Sequence, residues 1–170
     1  MGRWDYSSAR DHRPYGCDTT YRLAAEWLRG LDVEDWGCGL AWYKLFHEGG
    51  KYTGVDESQS NFADVVCKLE SHVTATPGLL MRHVLEHNRN WRQVLGRALA
   101  SFTHRMCLVV FTPLESSDRV LTIEGVSIPD IALKESDLRA MLQPFLVKDA
   151  HARTHTRYGW EWIFYLQVSP

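Results

Sequence analysis

Apolar positions along the chain change period several times, and each change marks an element. Leu23, Ala24, Trp27, Leu28 and Leu31 recur at helical spacing, with Asp18 placed to cap and Gly30 to close, predicting a helix over 19–29. Val33 to Trp36 reads as a short strand entering a glycine turn, followed by a helix over 40–47 that stops at Gly49-Gly50. Lys51-Tyr-Thr-Gly-Val-Asp56 is a strand ending in a carboxylate, Asp64 to Leu69 is a third strand, and Leu79 to Met81 is a fourth, entered from the Pro77-Gly78 turn. Trp91, Val94, Leu95, Ala98, Leu99 and Phe102 share one face of a helix over 90–102. Met106 to Phe111 is then a continuous apolar strand, stopped by Thr112-Pro113. The stretch 114–133 carries no clear period. A helix over 135–143 and strands over 146–153 and 160–168 close the chain. Strands alternating with helices predict a parallel α/β sheet covered on both faces.

Length and composition narrow this picture. The 170 residues fit one domain, read as an irregular arm over 1–17 and a folded unit over 18–170. A net charge of -2 gives no general argument for a polyanionic partner, so nucleic acid is neither indicated nor excluded. Cys17, Cys38, Cys67 and Cys107 are far apart and form no Cys-x-x-Cys pair, which suits reduced thiols in the cytoplasm. The N-terminus lacks an apolar leader core, and no run is long enough to span a bilayer, so the expectation is a soluble, unexported protein without a membrane partner.

The candidate chemistry sits after the first strand. Asp35-Trp36-Gly37-Cys38-Gly39 lets the backbone turn sharply and lets a ligand lie on bare peptide, with a helix N-terminus expected to add positive potential. Asp56, 17 residues past Gly39, ends the next strand, where a carboxylate can accept both hydroxyls of a ribose. Loop and acid together describe a nucleoside site. A dinucleotide fingerprint would have a third glycine where Trp42 stands, so a diphosphate is poorly served.

Val33-Glu-Asp-Trp-Gly-Cys-Gly-Leu-Ala41 instead resembles the first motif of class I S-adenosylmethionine (SAM)-dependent methyltransferases, and Tyr52-Thr-Gly-Val-Asp56 their second-strand motif. Leu79 to His87 and Val109 to Pro113 resemble the family's fourth- and fifth-strand segments. The resemblance spans 18–113, and weakly the last two strands. It implies a single Rossmann-like domain of about seven strands, mostly parallel with the last antiparallel, and S-adenosyl-L-methionine as cofactor, with S-adenosylhomocysteine as product. It also implies roles: Gly37 and Gly39 admit the methionine and ribose, Asp35 positions the methionine amino group, Asp56 holds the ribose, and Arg82 contributes its backbone carbonyl. Trp36, Cys38, Glu57, Lys68 and Leu69 complete the expected cofactor-binding set. Two positions depart from the pattern. Ala41 replaces a common third glycine, and Lys68 stands where an acid near the adenine is usual, leaving that contact to Glu70 or to backbone amides around Lys68 and Leu69.

His83-Val-Leu-Glu86-His87 also spells the inverted zinc-peptidase motif, but no third ligand accompanies it and Asn88-Arg-Asn90 breaks the helix it needs, so no metal is expected. Under the methyltransferase resemblance His83 orients or deprotonates an acceptor, or is a loop histidine bonded to backbone; Glu86 and His87 pin the turn. His151, Arg153, His155 and Arg157 alternate as a solvated face or as the rim of an acceptor pocket. Trp36 and Trp42 flank the loop as pocket walls or as core, with packing favoured for Trp42. The arm, with Tyr6, His12, Tyr15 and Gly16, is placed to act as a lid. No large capping insertion is expected, so the site is either open to a polymer or closed by a second subunit in a homodimer, and the reading leans to a small-molecule acceptor. A silent SAM-binding adaptor and a different nucleotide-binding α/β enzyme are the competing readings.

Overall fold

A computed structural model describes residues 16–58, 60–124 and 128–169. The arm and its proposed lid, including Tyr6, His12 and Tyr15, therefore lie outside the described residues. Helix α1 (Thr19–Leu28) leads into β1 (Val33–Trp36), β2 (Tyr52–Asp56), β3 (Val65–Val66) and β4 (Thr76–Arg82). Helix α2 (Trp91–Ser101) is followed directly by β5 (Phe102–Val110). Three short strands, β6 (Leu114–Glu115), β7 (Arg119–Glu124) and β8 (Ile128–Lys134), precede α3 (Glu135–Leu142), β9 (Leu146–Arg153) and β10 (Trp160–Gln167).

Seven strands form one sheet in the order β3-β2-β1-β4-β5-β10-β9. β1 pairs in parallel with both β2 and β4, and β10 runs antiparallel between β5 and β9. Successive residues of the central strands bury opposite faces, which is why their sequences are apolar without alternation. Leu80, Cys107, Val109 and Ile163 pack under α1 through Ala24 and Leu28. Leu79, Met81, Met106, Leu108 and Phe164 pack under α2 and α3 through Trp91, Val94, Leu95, Leu138 and Leu142. No helix of the described residues is long and apolar enough to cross a membrane.

The structure departs from the sequence expectations in four places. The helix expected over 40–47 is a single 3-10 turn, Trp42–Leu45, because Ala41 is left-handed (φ 54°, ψ 36°) and an α-helix cannot propagate back through it. Asp18 makes no side-chain cap on α1; its carboxylate pairs with Arg22 instead. The third strand shrinks to two residues, with Lys68 beyond it in a turn where Ser71 and His72 donate to the Lys68 carbonyl. Finally, the stretch without a clear period is a small sheet of order β6-β8-β7, whose central strand is buried against the α2 face through Ile131 and Leu133. The stretch is thus a compact insertion between β5 and α3. Its central strand is buried along nearly its whole length and carries Pro129 and Asp130, so neither alternation nor an apolar run marks it.

The two faces make a mutational contrast. Leu95 has no solvent exposure, so Leu95→Ala is expected to cost about 2–5 kcal/mol of unfolding free energy, whereas Leu45→Ala, at a side chain 71% exposed, should stay within about 0.5 kcal/mol. Urea denaturation of both variants checks the pair.

Candidate functional site

The strand order reverses between β1 and β4, and the carboxyl ends of parallel strands at such a switch form the crevice in which α/β sheets bind ligands. Asp35, Gly37 and Gly39 lie at the end of β1, Asp56 at the end of β2, and Arg82 and His83 at the end of β4. The expected site residues of these three strands are therefore brought to one rim. Glu57 follows Asp56 on the same rim, while exposed Lys68 and buried Leu69 follow β3 beside it.

Gly37 and Gly39 are both left-handed, with φ of 75° and 53°. At Gly37 a Cβ would also meet Val84 Cγ2 at 2.4 Å, so the residue after β4 packs onto the bare loop backbone. The Gly37 and Cys38 amides donate to the Val55 carbonyl, continuing the β1–β2 ladder into the turn. Cys38 is buried, and burial next to Asp35 pushes its thiol up out of the reactive range. Trp36 is fully buried in the α2-face core, its indole donating to Glu34 Oε2 at 2.9 Å, so Trp36 can offer a ligand only its backbone. Trp42 is half-buried at the start of the 3-10 turn.

Asp56 closes the loop. Its Oδ2 accepts the Gly39 amide at 2.9 Å and its Oδ1 the Ser58 amide at 2.7 Å, while the Ser60 hydroxyl donates to the Gly39 carbonyl. Each Asp56 oxygen retains acceptor capacity beyond its one amide. The positive helix N-terminus expected behind the loop is not there, because the 3-10 turn is too short to carry a macrodipole. A phosphate would find little to hold it.

Asp35 is buried beside the loop and accepts the Tyr52 hydroxyl at 3.1 Å. Burial pushes its carboxyl up to about 7, with the nearby Asp56 charge adding to the rise and the Tyr52 bond opposing it. A cation brought beside it would favour the ionised form and draw that value down again.

The β4 end holds a denser cluster. Arg82 donates from Nε to Thr20 Oγ1 at 2.9 Å and from Nη2 to Glu161 Oε1 at 2.8 Å, with its guanidinium 4.2 Å over the Tyr21 ring. Its side chain thus braces the floor, leaving the backbone to face the crevice. His83 is left-handed (φ 57°) and its Nε2 lies 2.5 Å from Glu161 Oε1. Burial, then the Arg82 charge, lowers the imidazole to about 4 against the pull of Glu161. Burial raises Glu161, but the His83 bond and the His83 and Arg82 charges outweigh it and hold the acid below its ordinary value. At neutral pH His83 is therefore neutral, with its Nε2 in close contact with Glu161 Oε1. A Cβ on Gly16 would lie 3.4 Å from Glu161 Oε1, which puts the end of the N-terminal arm against this cluster.

His83 and His87 do not share a helical face, since Leu85–His87 is one 3-10 turn. His87 Nδ1 meets the Pro129 carbonyl at 3.0 Å and Asp130 Oδ1 at 3.4 Å on β8. Glu86 is fully buried, accepts the Phe111 amide at 2.8 Å and is pushed by burial to about 8. Glu161 and Asp130 were not singled out by sequence; the first sits in an aromatic strand and the second in the stretch without a period, and no local spacing pointed to either. His151 and Arg153 lie on β9, whereas His155 and Arg157 fall in the turn after it, where Arg157 pairs with Asp130 at 3.1 Å.

No protein-family model matches the sequence, and no curated protein does. Solved structures do resemble it. The 1,6-didemethyltoxoflavin-N1-methyltransferase of Burkholderia thailandensis, bound to 1,6-didemethyltoxoflavin and S-adenosylhomocysteine, superposes with a TM-score of 0.69 at 17% identity, over 90% of this chain and 80% of that one. Magnesium protoporphyrin IX methyltransferase from Synechocystis PCC 6803, with S-adenosylhomocysteine, gives 0.65 at 18% identity over 89% and 83%. The cyclase SpnF gives 0.60 at 17% identity over 88% and 66%. At these identities the likeness is one of fold, and a fold shared with a cyclase does not fix the reaction.

The raised Asp35 carboxyl makes a pH prediction. The folded protein holds this proton more tightly than the unfolded chain, so the stability it carries is full below the ordinary value of 3.8 and is lost as pH rises to about 7. Glu86 adds to the same slope. Asp35→Asn cannot ionise and should show a fall shallower by a few kcal/mol, on the order of 2–4, between about pH 4 and pH 7. Urea midpoints across that interval provide the check, and an unchanged slope contradicts the assignment.

Proposed function

We propose that this chain, which has the fold of class I SAM-dependent methyltransferases, transfers the sulfonium methyl of S-adenosyl-L-methionine to an acceptor by in-line displacement. The observation that carries the reading is the bond from the Gly39 amide to Asp56 Oδ2, which fixes a bare, doubly left-handed loop beside a carboxylate at the strand switch. Asp56 would accept the ribose hydroxyls on its remaining lone pairs, and Gly37 and Gly39 would let the backbone approach. Asp35 would take the methionine ammonium, the positive group its burial calls for. The missing helix dipole disfavours a dinucleotide and costs SAM nothing, because SAM carries no phosphate. On the adenine side, Glu70 Oε2 is buried without a hydrogen-bond partner among the described residues, which supports Glu70 over Lys68 as the polar contact.

Bound SAM supplies an already activated methyl electrophile, so the protein's part is alignment and exclusion of water. Glu161 lies against the His83 ring at Nε2, and this imidazole at the end of β4 is the group that would orient or deprotonate the acceptor. Four free cysteines support the cytoplasm as the location, and the arm ending at Gly16 over Arg82 and Glu161 supports a lid over 1–15.

Calorimetric titration tests it. Wild type should bind SAM and S-adenosylhomocysteine but not NAD, and Asp56→Ala should bind both at least about tenfold more weakly. Absence of SAM binding to wild type would remove the reading. Binding without release of S-adenosylhomocysteine across an acceptor panel would instead identify a silent module.

A further inference from the structure

On the acceptor side of the crevice, a cavity of about 400 Å³ opens between the end of β5 and the β9–β10 hairpin. Its walls include Phe111, Leu114, His151, Tyr158, Trp160 and Trp162. We propose that this cavity is the acceptor site and that it selects a planar aromatic or heteroaromatic molecule of two or three fused rings. The acceptor role rests on the methyl-transfer reading; the selectivity for flat rings rests on the cavity alone.

Position comes first. The Phe111 ring lines the cavity and lies 4.6 Å from the His83 ring, so the cavity begins one ring away from the imidazole at the end of β4. Phe111 is followed by the Tyr158 ring at 5.8 Å, and His151 sits 5.3 Å from Trp160 and 5.4 Å from Trp162. Phe111 lines the cavity from the end of β5, and Tyr158, Trp160 and Trp162 line it from the hairpin. Flat π faces on several walls favour a flat π ligand over an aliphatic one of equal volume.

The polar inventory points the same way. The Tyr158 hydroxyl donates to Asp130 Oδ2 at 3.1 Å, and the Thr112 hydroxyl to the Ile131 carbonyl at 2.7 Å. Both hydroxyls are thus spent on the small sheet, and Tyr158 offers the cavity its ring. The polar groups the other walls add are the His151 imidazole and the indole N–H groups of Trp160 and Trp162, which suit a flat heteroaromatic with few polar atoms better than a sugar with many hydroxyls. Asp130, 2% exposed, also receives Arg157 and faces His87, so the hairpin tip, β8 and the turn after β4 are locked around one carboxylate. The walls are preorganised, which suits recognition by shape and stacking. Trp160 is 48% exposed although it opens a strand that is mostly buried, leaving an indole at the rim for a flat ligand to cover. The volume lies at the lower end of small-molecule pockets, the size of a compact fused-ring system.

The test titrates 2-naphthol and its saturated counterpart, decahydro-2-naphthol, into the full chain by calorimetry, with SAM titrated separately. Wild type should bind 2-naphthol at least about tenfold more tightly than the saturated alcohol. Trp160→Ala, at an exposed side chain, should reduce that preference by about threefold or more while leaving SAM affinity within about twofold. His151→Ala is the second variant and should act in the same direction. Equal affinities of the two alcohols for wild type, or a preference untouched in both variants, would overturn the proposal. Failure of SAM to bind while the naphthol preference persists would overturn the methyl-transfer reading and leave an aromatic-binding site.

Discussion

A carboxylate with no solvent exposure is tolerable only when its charge is met on the spot, and Glu161 is met by a guanidinium and an imidazole. These partners come from the end of β4, and Arg82 in turn reaches Thr20 at the start of α1. The antiparallel strand that completes the sheet is thereby fastened to the strand at the topological switch. Removing either partner would strand a buried charge, so the cluster specifies how the two halves of the crevice meet. It also accounts for His83. A left-handed backbone at a non-glycine residue is costly, and the bond to Glu161 is an interaction that holds the imidazole there.

The buried acids of the crevice divide by environment. Glu161 is kept ionised by its partners, whereas Glu86 and Asp35 are lifted by burial to about 8 and about 7. Glu86 does structural work through the Phe111 amide, and its proton costs that bond nothing. Asp35 differs because it sits beside the open loop, half-ionised at neutral pH. The His83 end is thus balanced in charge, while the Asp35 end improves on gaining a cation. This gradient would orient a ligand whose positive amino group and reacting centre lie at opposite ends of the crevice.

Much of the scaffold is legible in the sequence because its periods are long. The helices carrying Leu23 to Leu28 and Trp91 to Ala98, and the strands ending at Trp36 and Asp56, follow from spacing alone. The acid after the second strand is legible for the same reason: sheet registry fixes where a strand ends. The failures have local causes. A left-handed Ala41 carries no warning in its side chain, so the helix expected after the loop was a 3-10 turn. The burial of β8 is set by α2 and by the turn after β4, and its Pro129-Asp130 interrupts the apolar run, so no local pattern encodes it. Glu161 and Asp130 are long-range residues, pairing with partners 79 and 27 positions away.

This distinction bears on where specificity resides. The loop after β1 is built from contacts within one strand–turn–strand stretch, from Asp35 to Ser60, and its glycines and acid stand out in the sequence for that reason. The acceptor cavity is assembled from two separated segments, the chain after β5 around Phe111 and the β9–β10 hairpin carrying His151 and Tyr158, held in register by Asp130 from a third. A change in any one of these segments reshapes the cavity without touching the Asp56–Gly39 bond. The two halves are thus separable in substitution but joined in space, with Phe111 in van der Waals reach of His83 on one side and facing Tyr158 on the other. One aromatic ring therefore sets the distance between the His83 imidazole and the surface proposed to hold the acceptor.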